Sequence, residues 1–415
     1  MHSNVCVNKD SKLSEVNDSP KTGVAWLLLA NCLERMAYYG FRAIFILFLV
    51  DQSAGGMGWS TDQALELYGE FTMYTYLALI IGGLCADFLF GAYISTLIGI
   101  TLMVLGYVAL GFTDNETIYY AAGIIAIGAG LFKPSIPTMI TQQFQKFPEK
   151  LDSVFTGQYL VINFGAALSP LIVGVVGEQM GWSTGFNTAA VIAMAAFMII
   201  LIKNKHFSSE SKCSNIKTKE KNASFFSGIG IVILTSALAV LFWTYFEVGT
   251  GILYDFHSEE MNSIGYLLSS IVVILSSILC TIIWWKFSIN SWYKVAASFL
   301  IFSLSWFLLN YSISNEWNVK KIIILVLVLH GVAEVLGQII FMSIIAKMCF
   351  KPLISTSFAI HLFASALANH AVSYFSGGNS YLEMFGWVCL LVGTLLILIP
   401  FTYNRYTTRQ LITTS

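Results

Sequence analysis

The chain has 415 residues, a formal net charge of -1, 56% hydrophobic residues and only 11% charged ones. Soluble domains carry roughly 25% charged residues, so this composition excludes an ordinary soluble protein. The near-neutral balance offers nucleic acid no basic surface, and none is expected as a partner.

The seven cysteines include no C-x-x-C pair. Cys32, Cys85, Cys280 and Cys389 lie in apolar spans and read as small packing residues, not as disulfides or metal ligands. Hydropathy predicts an all-α polytopic membrane protein of about twelve spans, each of roughly 20–30 residues.

Residues 1–23 form a polar tail of mixed charge. It lacks a signal-peptide pattern, so the first span is expected to act as an uncleaved insertion signal. That span carries Glu34, Arg35 and Arg42 inside an apolar segment from about Trp26 to Val50. Each charge at a bilayer centre costs roughly 2.5–3.5 kcal/mol on insertion scales, so three nearly cancel the return from the apolar residues around them. Such a helix persists where its charges face other helices or a water-filled cavity, and charges held there usually handle ions or substrate. Glu34, Tyr38 and Arg42 fall on one helical stripe, and Asn31, Arg35 and Tyr39 on the adjoining one.

The second span begins near Leu65 and ends at Gly82-Gly83, with Asp87 just beyond as a helix-end and gating contact. The third begins near Ile94. The fourth begins near Ile118 and contains Gly128-Ala-Gly-Leu-Phe-Lys133-Pro134, where glycines allow close helix approach and Pro134 frees a carbonyl. The fifth and sixth begin near Val154 and Gly185. A polar segment, residues 205–224, then carries Lys205, Lys212, Lys217, Lys219 and Lys221.

The second six spans begin near Phe225, Ser263, Lys294, Lys320, Ser355 and Phe385. The seventh holds Trp243 and, one turn on, Glu247. The tenth holds His330 and Glu334, which share a face but lack a third ligand, so no metal site is expected. The eleventh holds His361 and His370. The expected division is 1–23 tail, 24–204 first half, 205–224 linker, 225–404 second half and 405–415 tail.

Basic residues set orientation. Lys9, Lys12, Lys21, Lys146, Lys150, Lys286, Lys294, Lys347, Lys351, Arg405 and Arg409 all fall on the side of the linker, with Lys320 and Lys321 the exception. The opposite loops carry mainly acids. Both termini and the linker are therefore expected in the cytoplasm, in a multi-pass protein of the cell (inner) membrane.

Two groups of six spans around a cytoplasmic linker is the organisation of major facilitator transporters, whose halves pack as pseudo-repeats around a midplane site. Cations come mainly from the first half (Arg35, Arg42, Lys133) and acids from the second (Glu247, Glu334). A cavity between them suits a zwitterion, with its carboxylate on Arg42 and Lys133 and its ammonium on Glu334. Neither H-E-x-x-H nor G-x-S-x-G occurs, so no enzyme and no catalytic residues are expected.

At these residues the chain resembles the proton-coupled oligopeptide transporter family. Asn31-Cys-Leu-Glu34-Arg35-Met-Ala-Tyr38-Tyr39-Gly40-Phe-Arg42-Ala43 is similar to its E-x-x-E-R-x-x-Y-Y-G-x-R-A signature. Gly82-Gly83-Leu-Cys-Ala-Asp87 with Gly91, Gly130-Leu-Phe-Lys133-Pro134 and Phe155-x3-Tyr159-x2-Ile162-Asn163-x-Gly165-Ala166 resemble further family motifs. So do Trp243-x3-Glu247 and Glu334-x8-Ser343-x3-Lys347. The resemblance implies a monomeric symporter that imports di- or tripeptides, with protons as coupling ion and no other cofactor; the alternative is a related secondary transporter of another small zwitterion or anion, such as an amino acid derivative, with weakened proton coupling. It implies that Arg42 and Lys133 hold the peptide carboxylate and that Glu334 with Asn163 holds the amino end. Tyr38, Tyr39, Tyr76 and Trp243 would line the pocket, and Glu34, Arg35 and Glu247 would couple protons. Three departures fall at the site. Asn31 replaces the first Glu of the signature, Gln338 replaces a Ser, and His361 replaces a pocket Trp.

Overall fold

A computed structural model describes residues 20–53, 55–112, 116–207, 222–255, 259–314, 319–372, 375 and 381–413, and these residues form helices and turns without strands. In chain order the helices are α1 (Pro20–Val50), α2 (Thr61–Cys85), α3 (Gly91–Leu110), α4 (Thr117–Gln143), α5 (Leu151–Ser169), α6 (Val175–Met180) and α7 (Trp182–Ile202). They continue as α8 (Asn222–Asp255), α9 (Glu259–Lys286), α10 (Ser291–Ser314), α11 (Val319–Met348), α12 (Ile354–Val372) and α13 (Leu382–Thr413).

Helices extend past the apolar runs that predict them. α2 starts at Thr61, a turn before Leu65, because the Ser60 side chain accepts the Gln63 N–H and the Gln63 side chain accepts the Ser60 N–H. That reciprocal cap satisfies two amides that the helix end leaves unpaired.

Ten helical stretches among the described residues are long and apolar enough to cross a membrane. One of them, Thr61–Leu110, is 50 residues long. As a straight rod it would measure about 75 Å, against a hydrocarbon core of about 30 Å. It folds back at Gly91, whose φ of 77° only glycine adopts cheaply. The packing shows the reversal. Trp59 faces Tyr119 and Gly82 abuts Gly130, so α2 runs parallel to α4. Gly99 abuts Gly128 and Gly106 abuts Ile125, so α3 runs antiparallel to it. α1, 31 residues long, falls outside the ten because its charges and tyrosines interrupt the apolar run. Counting it, and counting α2 and α3 separately, gives twelve crossings.

One buried core is built chiefly from α1–α7 and a second from α8–α13. Val335, Ile339 and Phe358 of α11 and α12 join the first core, so the two groups share a seam. The tail residues 1–19 and the linker residues 208–221 lie outside the described residues, as do Asp114 and Asn115.

The seam is sealed on the side where α7 ends and α8 begins. Asp87, in the π-helical turn Ala86–Phe90, accepts the Ser355 N–H (3.0 Å), the Thr356 N–H (2.8 Å) and the Thr356 hydroxyl (2.7 Å) at the start of α12. A carboxylate is favoured there because a helix start presents unpaired amides and a positive dipole end. Asp152, in the first turn of α5, is ion-paired with Lys294 and with Lys347 (2.5 Å to the latter), and accepts from the Ser343 hydroxyl (2.5 Å) and the Ser291 hydroxyl (3.0 Å). Lys150 Nζ donates to the Trp285 carbonyl at 2.6 Å, and the Ser153 hydroxyl donates to the Thr281 carbonyl at 2.6 Å. At the opposite end Asp51 accepts from Ser53 and from Trp182 Nε1 (2.6 Å), which ties α1 to α7 and holds its carboxyl below the usual range.

Candidate functional site

Four of the predicted residues meet in one cavity at the seam. It holds about 240 Å³ and is lined by Arg35 and Tyr39 of α1, Tyr76 of α2 and Lys133 of α4. Asn31, Gln158, Tyr159, Gln338 and Ser365 complete its polar wall, and Phe155, Ile162, Ile339 and Met342 supply apolar surface. A small pocket of mixed apolar wall and few polar groups is the usual form of a small-molecule site.

The packing that builds it is backbone-close. A Cβ on Gly165 would lie 2.5 Å from the Cys32 carbonyl, so α5 can press on α1 only with glycine there. Likewise a Cβ on Gly130 would lie 2.5 Å from Ala78, which brings Lys133 beside α2. Pro134 and Pro137 sit within α4, one and four residues after the lysine.

Charge is arranged unevenly. Arg35 makes a two-pronged pair with Glu34, Nε to Oε2 at 2.5 Å and Nη2 to Oε1 at 2.6 Å, and both residues are buried. Fork geometry of this kind largely satisfies a guanidinium. Lys133 has no carboxylate partner among the described residues; its Nζ stands 4.2 Å from the centre of the Tyr38 ring. Arg35 approaches the same ring at 5.1 Å and Arg42 at 6.0 Å. An aromatic face attracts cations through its quadrupole, so Tyr38 holds three cations near one another without neutralising any. Lys133 is thus the cavity cation left to receive an anion.

The remaining predicted residues sit around the cavity instead of on its wall. Tyr38 is buried behind Lys133. Arg42 donates from Nε to the Tyr68 hydroxyl at 2.8 Å and also through Nη2. Glu334 is buried and accepts from the Tyr159 hydroxyl, across the seam. Asn163 donates to the Tyr159 carbonyl of its own helix at 3.0 Å. Trp243 packs on Phe242 and Phe246, with its indole N–H buried and unpartnered. Glu247 is exposed. His361 is fully buried against Phe341, and His330 lies among Phe302, Trp306 and Phe246; neither imidazole has a hydrogen-bond partner. Among the described residues no group of three or more His, Cys, Asp or Glu is placed to hold a metal.

Sequence reasoning assigned no role to Tyr68, Tyr159 or Asp152. Tyr159 stands in a motif, but its hydroxyl partner comes from α11, which no local pattern reveals. Asp152 carried no distinguishing signal, since Glu149 stands three residues before it and Asp87 lies on the same side.

A family model described as "POT family" matches residues 94–244. An uncharacterized transporter of Bacillus subtilis (strain 168), YclF, is 29% identical over 233 residues, 56% of this chain and 46% of that protein. A di-/tripeptide transporter of Lactococcus lactis subsp. lactis (strain IL1403) is 29% identical over 238 residues, 54% of this chain and 48% of its own. The chain thus spans about half the length of the curated relatives it matches. A crystal structure of a peptide transporter in complex with alafosfalin superposes with a TM-score of 0.62 at 20% identity, covering 92% of this chain and 95% of that one. A POT family transporter in complex with a thioalcohol-conjugated peptide gives 0.60 at 18% identity, covering 91% and 96%. The fold is therefore shared with those transporters at full length. By motif, by family model over residues 94–244 and by fold, this chain resembles the POT family of transporters.

Proposed function

We propose that this chain is a proton-coupled symporter that imports di- and tripeptides by alternating access. The observation that carries the reading is Lys133, a cation without a carboxylate partner, facing a small aromatic-walled cavity between two helix groups sealed on one side. The di-/tripeptide activity named for the Lactococcus lactis relative supports it. The substrate carboxylate binds Lys133, with Arg42 joining once it leaves Tyr68. The substrate ammonium replaces the Tyr159 hydroxyl as the partner of Glu334, with Asn163 beside it. Tyr38, Tyr39, Tyr76, Trp243 and His361 shape the pocket. Glu34, Arg35 and Glu247 couple the proton, and Asp87 gates. The protein works as a monomer in the cell membrane with the lysine-rich side in the cytoplasm, so the sealed state faces outward.

A second reading has its own observation. Among the described residues no carboxylate lines the cavity, which favours a small anion or another zwitterion if Tyr159 keeps Glu334. Uptake of labelled dialanine into proteoliposomes, with and without an inward proton gradient, tests the first reading. Accumulation that requires the gradient supports it. Carriage of C-terminally amidated dialanine as well as the free acid would remove the carboxylate assignment.

A further inference from the structure

The charges around the cavity are sorted by sign. Lys133 Nζ and the Arg35 guanidinium stand against one ring, 4.2 Å and 5.1 Å from the centre of Tyr38, and both residues line the cavity. Arg42 approaches the same ring at 6.0 Å. The remaining polar wall of Asn31, Gln158, Gln338, Ser365 and the tyrosines is uncharged. Acids stand elsewhere. Glu34 is fully buried, with both oxygens taken by Arg35. Glu334 is buried at the Tyr159 end, and Glu247 of α8 acts electrostatically on Glu334 and Tyr76. The family signature has a glutamate where this chain has Asn31, so this wall is one negative charge short of the family pattern.

Arg35 is not used up by Glu34. A guanidinium carries five N–H donors, and the fork claims two. Its Nη1 donates to nothing among the described residues and is not closed off from accessible space. The same holds for Lys133 Nζ. A substrate whose terminal carboxylate sits on Lys133 therefore leaves donors of Arg35 free beside it for a second anion.

We propose that the cavity selects by charge at the carboxylate end: it prefers dipeptides whose second residue is acidic and rejects those whose second residue is basic. The terminal carboxylate takes Lys133, and the side-chain carboxylate takes Nη1 of Arg35. A basic side chain at that position meets two cations and no acid. This rests on the peptide reading above. The first residue of the substrate lies toward Glu334, so its side chain escapes the rule. Asn31 is the specificity residue, one turn before Arg35 on the same helix face, because a carboxylate there would cancel the surplus.

Matched competitors of labelled dialanine uptake in proteoliposomes at pH 7 test the rule. Ala-Glu should compete about tenfold better than its neutral isostere Ala-Gln, the scale of a hydrogen bond to a charged group. Ala-Lys should compete about tenfold worse than Ala-Gln, through like-charge repulsion. Glu-Ala and Gln-Ala should compete alike. Asn31→Glu should abolish the Ala-Glu advantage and let Ala-Lys compete as well as Ala-Gln. Equal competition by Ala-Glu and Ala-Gln in wild type overturns the inference, and so does an Asn31→Glu variant that keeps the wild-type order. An equal advantage of Glu-Ala over Gln-Ala overturns the placement at the carboxylate end. Should the variant fail to reach the membrane, the wild-type comparison decides alone. Each of these outcomes is read with dialanine uptake intact; its absence in wild type is separate and defeats the peptide reading itself.

Discussion

Lys133 is half-buried beside aromatic groups and, among the described residues, is met by no acid. Its charge is therefore the one most dependent on what enters the cavity. Lys133→Ala should abolish saturable dialanine uptake, and Lys133→Arg should restore only part, because a guanidinium on this stem cannot occupy the same point. Glu334 is the counterpart. Removing one partner of a desolvated charge pair costs roughly 2–5 kcal/mol, so Glu334→Gln should raise the apparent affinity constant for dialanine at least tenfold in uptake competition. An unchanged constant would favour the anion reading. The individual charges were legible in the sequence, since Lys133, Glu334 and the α1 triplet stand out against apolar runs. Their partners were not. Tyr68 for Arg42 and Tyr159 for Glu334 are set by contacts 26 and 175 residues away in the chain.

Individual helices carry the close packing that decides which side of the molecule is shut. On α2, a Cβ added to Gly83 would lie 2.8 Å from the Ala359 Cβ and 2.9 Å from the Ser355 carbonyl of α12. No real Cβ tolerates both contacts, so a side chain there must push the sealed ends apart. Gly83→Leu should shift the resting population toward the state open on the linker side. Spin labels on exposed positions of α2 and α12 near that side should report longer distances, and distances unchanged from wild type would count against the seal. The existence of these helices was readable from hydropathy, but their ends were not. α2 begins earlier because of the Ser60–Gln63 cap, and the reversal at Gly91 depends on a positive φ that a hydropathy profile does not see.

For the molecule as a whole, the proposed proton coupling has to reach the seam. Glu247 lies exposed on α8, and Asn31 cannot titrate. Glu247→Gln is therefore expected to abolish gradient-driven accumulation while sparing substrate counterflow, which needs no net proton movement. Full accumulation by that variant would sink the mechanism. Wild-type transport indifferent to the gradient would mark a facilitator. The twelve crossings and the family resemblance followed from spacing and motifs. The side on which the seam is closed did not, because it depends on contacts such as Asp152 with Lys294, which join the two groups only in the folded chain.

Asp152 serves two lysines and two serine hydroxyls at once. That concentration has an evolutionary consequence. Changing the aspartate first strands two ammonium groups side by side, one of them almost fully buried, and breaks the closed state in a single step. Losing Lys347 first leaves Asp152 still matched by Lys294. The three positions are thus historically ordered. A lineage can leave this arrangement through the lysines but not through the acid, so Asp152→Asn should fail in wild type and be rescued in part when Lys347→Met precedes it.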